Sequence, residues 1–162
     1  MAISVGEKIP SSNLLKLGED GPEHVSLDEI TAGRKVVVFA VPGAYTPTCT
    51  QAHVPSFIRA KDALEAKGVQ EIVCVAVNDP FVVHAWSEAT NAEASGITML
   101  SDSDGSFTKS IGMDFSAPPA GLFNRSARYS MLVEDQVVVI LNKEESPGIC
   151  ETSAGETLLS QM

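Results

Sequence analysis

The sequence predicts an α/β domain of three layers, a central mixed sheet with helices on both faces. Three observations predict it. The runs "RKVVVFAVP", "EIVCVAV" and "GITMLSD" are too short for helices and too continuously apolar for strands with one wet face, so they read as buried central strands. Between them lie segments that carry helix start and stop residues. Near the C-terminus two further apolar runs enclose a polar tripeptide, which adds an antiparallel hairpin to the alternation of strand and helix.

Taken in order, an N-terminal arm leads into the first strand, Arg34 to Pro42. A helix comes next, with Thr46 placed to cap it through its side chain and Pro47 suited to its first position, so Cys49 falls in the first turn. Its text runs to Gly68, a residue suited to a left-handed helix end, and Pro55 inside it should kink it. Glu71 to Val77 is the second strand, and Asp79 and Pro80 open a helix through about Thr90 as cap and first residue. "GITMLSD" is the third strand, and "GSFTKSIGM" a short helix closed by Gly112. From Met113 to Asn124, Pro118, Pro119 and Gly121 mark a loop. "RYSMLVEDQVVVIL" is a hairpin turning at Glu134, Asp135 and Gln136. Ser153 and Glu156 stand at capping-box spacing before a final helix. This order of elements is the thioredoxin-like one, and with 162 residues and no shift in composition a single domain spanning 1–162 is expected.

Composition excludes several function classes. The 21 acidic residues outnumber the 11 basic ones, a net charge of −10, which disfavours nucleic acid and anionic membrane as partners. The apolar runs are too short to span a bilayer, and the N-terminus has neither a secretory signal nor an Arg-rich transit pattern. A cytoplasmic protein is expected, or an organellar one if a presequence has been removed. Three cysteines without CxxC or zinc spacing argue against a structural disulfide framework, and no metal or other cofactor is called for.

The chemistry concentrates in "VPGAYTPTCTQAHVP". A thiol attacks only as thiolate, and an ordinary cysteine of pKa ~8.5 is ionised to about 3% at pH 7. A helix N-terminus favours the anion by roughly 0.3–1 kcal/mol, less than one pKa unit. An arginine ~4 Å away could add up to about 4 kcal/mol before desolvation, so it is the group to find. Among Arg34, Arg59, Arg125 and Arg128, the last two enter a core strand where sites form in such sheets, and Arg128 is the first choice. Thr46 offers a hydroxyl near the sulfur, Pro42 would shield the sulfur from solvent, and His53 lies one helical turn beyond Cys49. A Cys–His hydrolase pair lacks a visible orienting partner, and a metal site from Cys49, His53 and His84 lacks ligand spacing.

The stretch "PGAYTPTC" resembles the peroxiredoxin active-site pattern PxxxTxxC, with Pro42, Thr46 and Cys49 on its fixed positions. The resemblance continues through "VGEKIP", "HVPSFI", "KGVQEIVCVAVNDPFV", Trp86, "RSARYSMLVED" and the C-terminal helix, and it looks like the type II, or peroxiredoxin-five-like, branch. It implies a thiol peroxidase whose thiolate at Cys49 attacks the peroxide O–O bond to give a sulfenic acid, while Thr46 and Arg128 hold the peroxide oxygens. Gly43, Thr48, His53 and Arg125 are carried over as supporting positions.

The resemblance divides over how the sulfenic acid is reduced. Animal-like members carry a third cysteine near Cys150 that forms an intramolecular disulfide with the peroxidatic one, and thioredoxin is then the reductant. Many plant and bacterial members lack it and use glutaredoxin or glutathione. Cys150, in "EESPGICETS", favours the first scheme, while Cys74 inside "EIVCVAV" reads as a packed, inert thiol. A homodimer is also implied. Two other classes stay open: a redox sensor in which oxidation of Cys49 alters a partner contact, and a disulfide exchanger, against which the absence of CxxC argues.

Overall fold

The structure is a computed structural model that describes residues 2–162. Its sheet has seven strands, built from β1 (Leu14–Gly18), β2 (Gly21–Val25), β3 (Lys35–Val41), β4 (Glu71–Ala76), β5 (Ile97–Ser101), β8 (Tyr129–Glu134) and β9 (Val137–Lys143), in the order β2-β1-β5-β4-β3-β8-β9. β3, β4 and β5 run parallel; β8 pairs antiparallel with β3, and β1 with β5. The sheet is therefore mixed, as expected.

Burial on both faces explains the unbroken apolar text of the central strands. Along β3, Val37, Phe39 and Val41 enter one core, while Val36, Val38 and Ala40 enter the other. The first core is covered by α2 (Val54–Ala66), α3 (Pro80–Thr90) and α5 (Gly155–Ser160), through side chains such as Phe57, Trp86 and Leu158. The second is covered by α1 (Leu27–Thr31) and α4 (Ser106–Ser110), through Leu27 and Phe107. This is the expected thioredoxin-like three-layer arrangement.

Several local expectations are corrected. The N-terminal arm contains the β1-β2 hairpin and α1; β2 is an edge strand of largely exposed, Pro- and Glu-bearing text, which hides its strand character. The stretch read as loop after Met113 forms a second, two-stranded sheet, β6 (Asp114–Ala117) with β7 (Leu122–Ser126), and its prolines sit in the connecting turn. Both strands lie mostly at the surface, so no apolar alternation announces them. Ser153 and Glu156 form no capping box: Ala154 precedes α5, Ser153 bonds to Glu144, and Glu156 pairs with Arg59. Other signals act as read, including the Asp79 side chain accepting from the Val82 N–H at 2.8 Å and the left-handed turn at Asp135 and Gln136.

Candidate active site

The register of the sheet assembles the site. β3 ends at Val41, and the chain turns through Pro42 and Gly43 into the helical segment that begins at Pro47. Because β8 runs antiparallel to β3, with Tyr129 opposite Ala40, Arg128 arrives beside the end of β3 from the opposite direction. Two segments 79 residues apart thus meet at the carboxyl ends of the parallel strands.

Pro55 shapes the approach. It has no N–H to return to the preceding turn, and Cys49–His53 form a π-helical turn closed by the Val54 N–H on the Cys49 carbonyl. The expected kink is therefore a widened turn at the cysteine itself. Thr46 does provide the first helical carbonyl, which accepts from the Thr50 N–H at 3.1 Å. Its hydroxyl does not cap the helix. It lies 2.7 Å from the Gly43 carbonyl and 2.7 Å from Cys49 Sγ. One hydroxyl proton cannot serve both acceptors at once, so the rotor can donate to Gly43 beside a thiol and to the sulfur beside a thiolate.

Arg128 is 2% exposed, and each of its three side-chain nitrogens has a partner. Nη2 donates to Cys49 Sγ at 3.1 Å and to the Pro147 carbonyl at 2.8 Å, Nε to the same carbonyl at 3.2 Å, and Nη1 to His53 Nδ1 at 3.0 Å. The guanidinium thus presents a positive charge and an N–H donor directly to the buried sulfur. His53 packs in a tilted arrangement against the stacked pair Phe39 and Phe57, with ring centroids at 4.8 and 5.6 Å. Its Nε2–H donates to the Ser153 carbonyl at 3.0 Å, so Nδ1 is left as the acceptor for arginine. Burial first, then the neighbouring Arg128 cation, pulls its pKa down to about 3. His53 therefore acts as a neutral brace for the guanidinium, and not as a base for Cys49.

The other expected residues fall around this centre. A cavity of about 330 Å³ opens onto Pro42, Thr46, Thr48, Leu122, Arg128 and Pro147. Thr48 does not reach the sulfur; its hydroxyl donates to the Gly148 carbonyl at 3.0 Å. Arg125 donates to the Pro42 carbonyl at 3.4 Å, and its Nη1 occupies the space a Cβ on Gly43 would need, so these two support each other beside the site. Cys74 is buried on the same face of the sheet as Cys49, and burial pushes its thiol well up. Cys150 lies in a strap, residues 144–153, that crosses the site; its thiol is also raised, chiefly by burial. His84 stands apart, paired with Glu88 on α3.

Three groups escaped the sequence reading. The carbonyls of Pro147 and Gly148 carry no side-chain signal. Glu144, in an acidic doublet that reads as solvated, is buried; its Oε2 accepts from the Glu151 N–H and from the N–H and hydroxyl of Ser153. Burial pushes its pKa up, but these bonds outweigh that and leave it lowered. The period-two alternation of β9, which buries Val138 and Asn142, continues to Glu144 and was the available clue. Trp86, which the sequence did single out, is fully buried and donates from Nε1 to the Thr50 hydroxyl at 3.0 Å, next to Cys49.

The redoxin family model matches residues 4–159. Peroxiredoxin-2C of Arabidopsis thaliana is 38% identical over 161 residues, which is 99% of this chain and 98% of that protein. The chain belongs to the peroxiredoxins. A chloroplastic relative, peroxiredoxin-2E-2 of Oryza sativa subsp. japonica, is 46% identical over 160 residues, 96% of this peroxiredoxin and 71% of the relative. Reduced Prx3 from Vibrio vulnificus in complex with hydrogen peroxide superimposes with a TM-score of 0.89 at 46% identity, covering 98% of each chain. This peroxiredoxin is accordingly a thiol-dependent peroxidase enzyme of the type II branch. Among the described residues no helix is long and apolar enough to cross a membrane.

Proposed function

We propose that Cys49 is the peroxidatic residue and that Thr46 and Arg128 are its partners in the peroxide step. The single observation that carries this is the pair of donors on one buried sulfur, Thr46 Oγ1 at 2.7 Å and Arg128 Nη2 at 3.1 Å. The thiolate attacks one oxygen of a hydrogen or alkyl peroxide, an S–O bond forms as the O–O bond breaks, and the leaving oxygen departs as hydroxide or alkoxide and takes up a proton. Donors fixed before the reaction stabilise the charge that moves onto that oxygen. Pro42 and Gly43 shape the mouth of the pocket, Arg125 and Thr48 hold its walls, and His53 orients Arg128.

The sulfenic acid is then resolved by Cys150, whose sulfur attacks the Cys49 sulfur to form a disulfide and release water, and thioredoxin reduces the disulfide. The position of Cys150 in the strap over the site favours this reading. The second reading is a one-cysteine cycle with glutaredoxin or glutathione. It is favoured by the pinning of the strap, through Thr48 on Gly148 and Glu144 on residues 151–153, and by relatives on the plant and bacterial side of the family. Either cycle suits a homodimer in the cytoplasm, or in an organelle, where relatives with chloroplastic and mitochondrial names belong.

The test is disulfide mapping by mass spectrometry after one equivalent of hydrogen peroxide and thiol blocking. An intrachain Cys49–Cys150 bond is expected. Oxidised Cys49 with Cys150 still blocked assigns the one-cysteine cycle, and Cys49→Ser that still turns over peroxide would overturn the assignment of the site.

A further inference from the structure

Glu144 is 7% exposed, and among the described residues no lysine, arginine or histidine lies within ion-pair distance of it. A buried carboxylate without a counter-ion is costly, so its hydrogen bonds must hold something in place. They form a ring that begins and ends on Arg128. The Glu144 N–H donates to the Arg128 carbonyl at 2.9 Å. Oε2 takes the Ser153 N–H at 2.7 Å and the Ser153 hydroxyl at 2.6 Å. The Ser153 carbonyl takes Nε2–H of His53 at 3.0 Å, and His53 Nδ1 takes Nη1–H of Arg128 at 3.0 Å. From the same guanidinium, Nη2 faces Cys49 Sγ at 3.1 Å.

We propose that Glu144 is a positioning residue for the peroxide step, acting through Ser153 and His53 to hold the Arg128 guanidinium against the Cys49 sulfur. The inference rests on Cys49 being the reacting thiol. Its mechanism is a choice of tautomer. Without the carboxylate, Ser153 loses the bonds to its N–H and hydroxyl that fix the residue and so the direction of its carbonyl toward His53, and the imidazole proton no longer has a fixed home on Nε2. With the proton on Nδ1, two donors face each other, and the guanidinium turns from the sulfur. No counter-ion is needed at Glu144 in this scheme, because its partners are the dipoles of one short loop, three of them converging on one oxygen.

The experiment compares full-length Glu144→Ala and Glu144→Gln with the unmodified protein. Stopped-flow oxidation of the reduced chain by hydrogen peroxide gives the rate at Cys49, and ¹⁵N spectra of the histidine ring give the His53 tautomer. Glu144→Ala is expected to slow oxidation about tenfold or more, with loss of the pure Nε2–H signature. Glu144→Gln keeps an accepting oxygen and is expected to fall between the two. Rates and ring signals equal to the unmodified protein in both variants overturn the inference while leaving the site assignment intact. If the alanine variant does not fold, the glutamine variant decides alone, and parity there overturns the inference. An unmodified protein whose Cys49 resists peroxide overturns the site assignment, and this inference with it.

Discussion

His53 carries no charge because it is buried against a stacked pair of aromatic rings, and a second ring proton would also have to sit against the Arg128 guanidinium. That has a cost readable as pH dependence. With a folded pKa near 3 and an unfolded value of 6.5, the unfolded chain binds a proton in this window that the folded chain refuses. Stability therefore rises with pH across the window and is lost as pH falls, by up to about 1.4 kcal/mol per pH unit. Glu144 has the same sign lower down: its depressed folded pKa gives stability that is present above the ordinary carboxylate range and lost below it. In His53→Gln the loss between pH 6.5 and about 5 should flatten, as measured by urea unfolding followed by circular dichroism. A slope equal to the parent's would place the titration elsewhere. Strand position singled out Arg125 and Arg128, and the flanking Ala127 and Tyr129 favoured Arg128, but Glu144 could not be found this way, because "NKEESPG" gives no hint that its first acid folds inward except through the register of β9.

Among the elements, the long central strands and the helices with clear start residues were legible because local signal and tertiary burial agree there. The β1-β2 and β6-β7 pairs were not, since exposed strands owe their form to neighbours rather than to an apolar pattern. The closing helix was found, but its start was misread: the Gly155 N–H is satisfied by the Ser56 hydroxyl of α2 at 2.9 Å, which displaces any local cap. That contact requires glycine. A Cβ at Gly155 would lie 2.6 Å from the Ser56 carbonyl oxygen, a backbone atom of α2, so α5 would have to lift. Gly155→Ala should destabilise the fold by roughly 1–3 kcal/mol. Gly43→Ala meets only the tip of Arg125, which can swing away, and should cost much less. Comparing the two denaturation midpoints checks this; equal losses would show that α5 yields more easily than its packing implies.

For the molecule as a whole, the net charge of −10 has different consequences for the two halves of the cycle. A peroxide that carries no charge feels no long-range field. A protein reductant does, and its approach is screened by salt over about 10 Å at 0.1 M. Raising ionic strength tenfold should leave the rate of Cys49 oxidation within about twofold and change the rate of recycling by a protein reductant more strongly. Equal responses in the two steps would mean that the charge is spread too evenly to steer a partner. The fold class was readable because the alternation of buried strands and helices spans the chain. The site was readable where its residues lie in one stretch and where a strand start marked Arg128, but not where the fold alone brings in backbone carbonyls and Glu144.

The hydrogen bond from Trp86 to Thr50 links the only indole in the chain to the residue next after Cys49. Movement of the widened turn changes the polarity and contacts of that ring before it affects any other chromophore of its kind. Indole fluorescence is then expected to respond to oxidation at Cys49, with no label and no second tryptophan to dilute the signal.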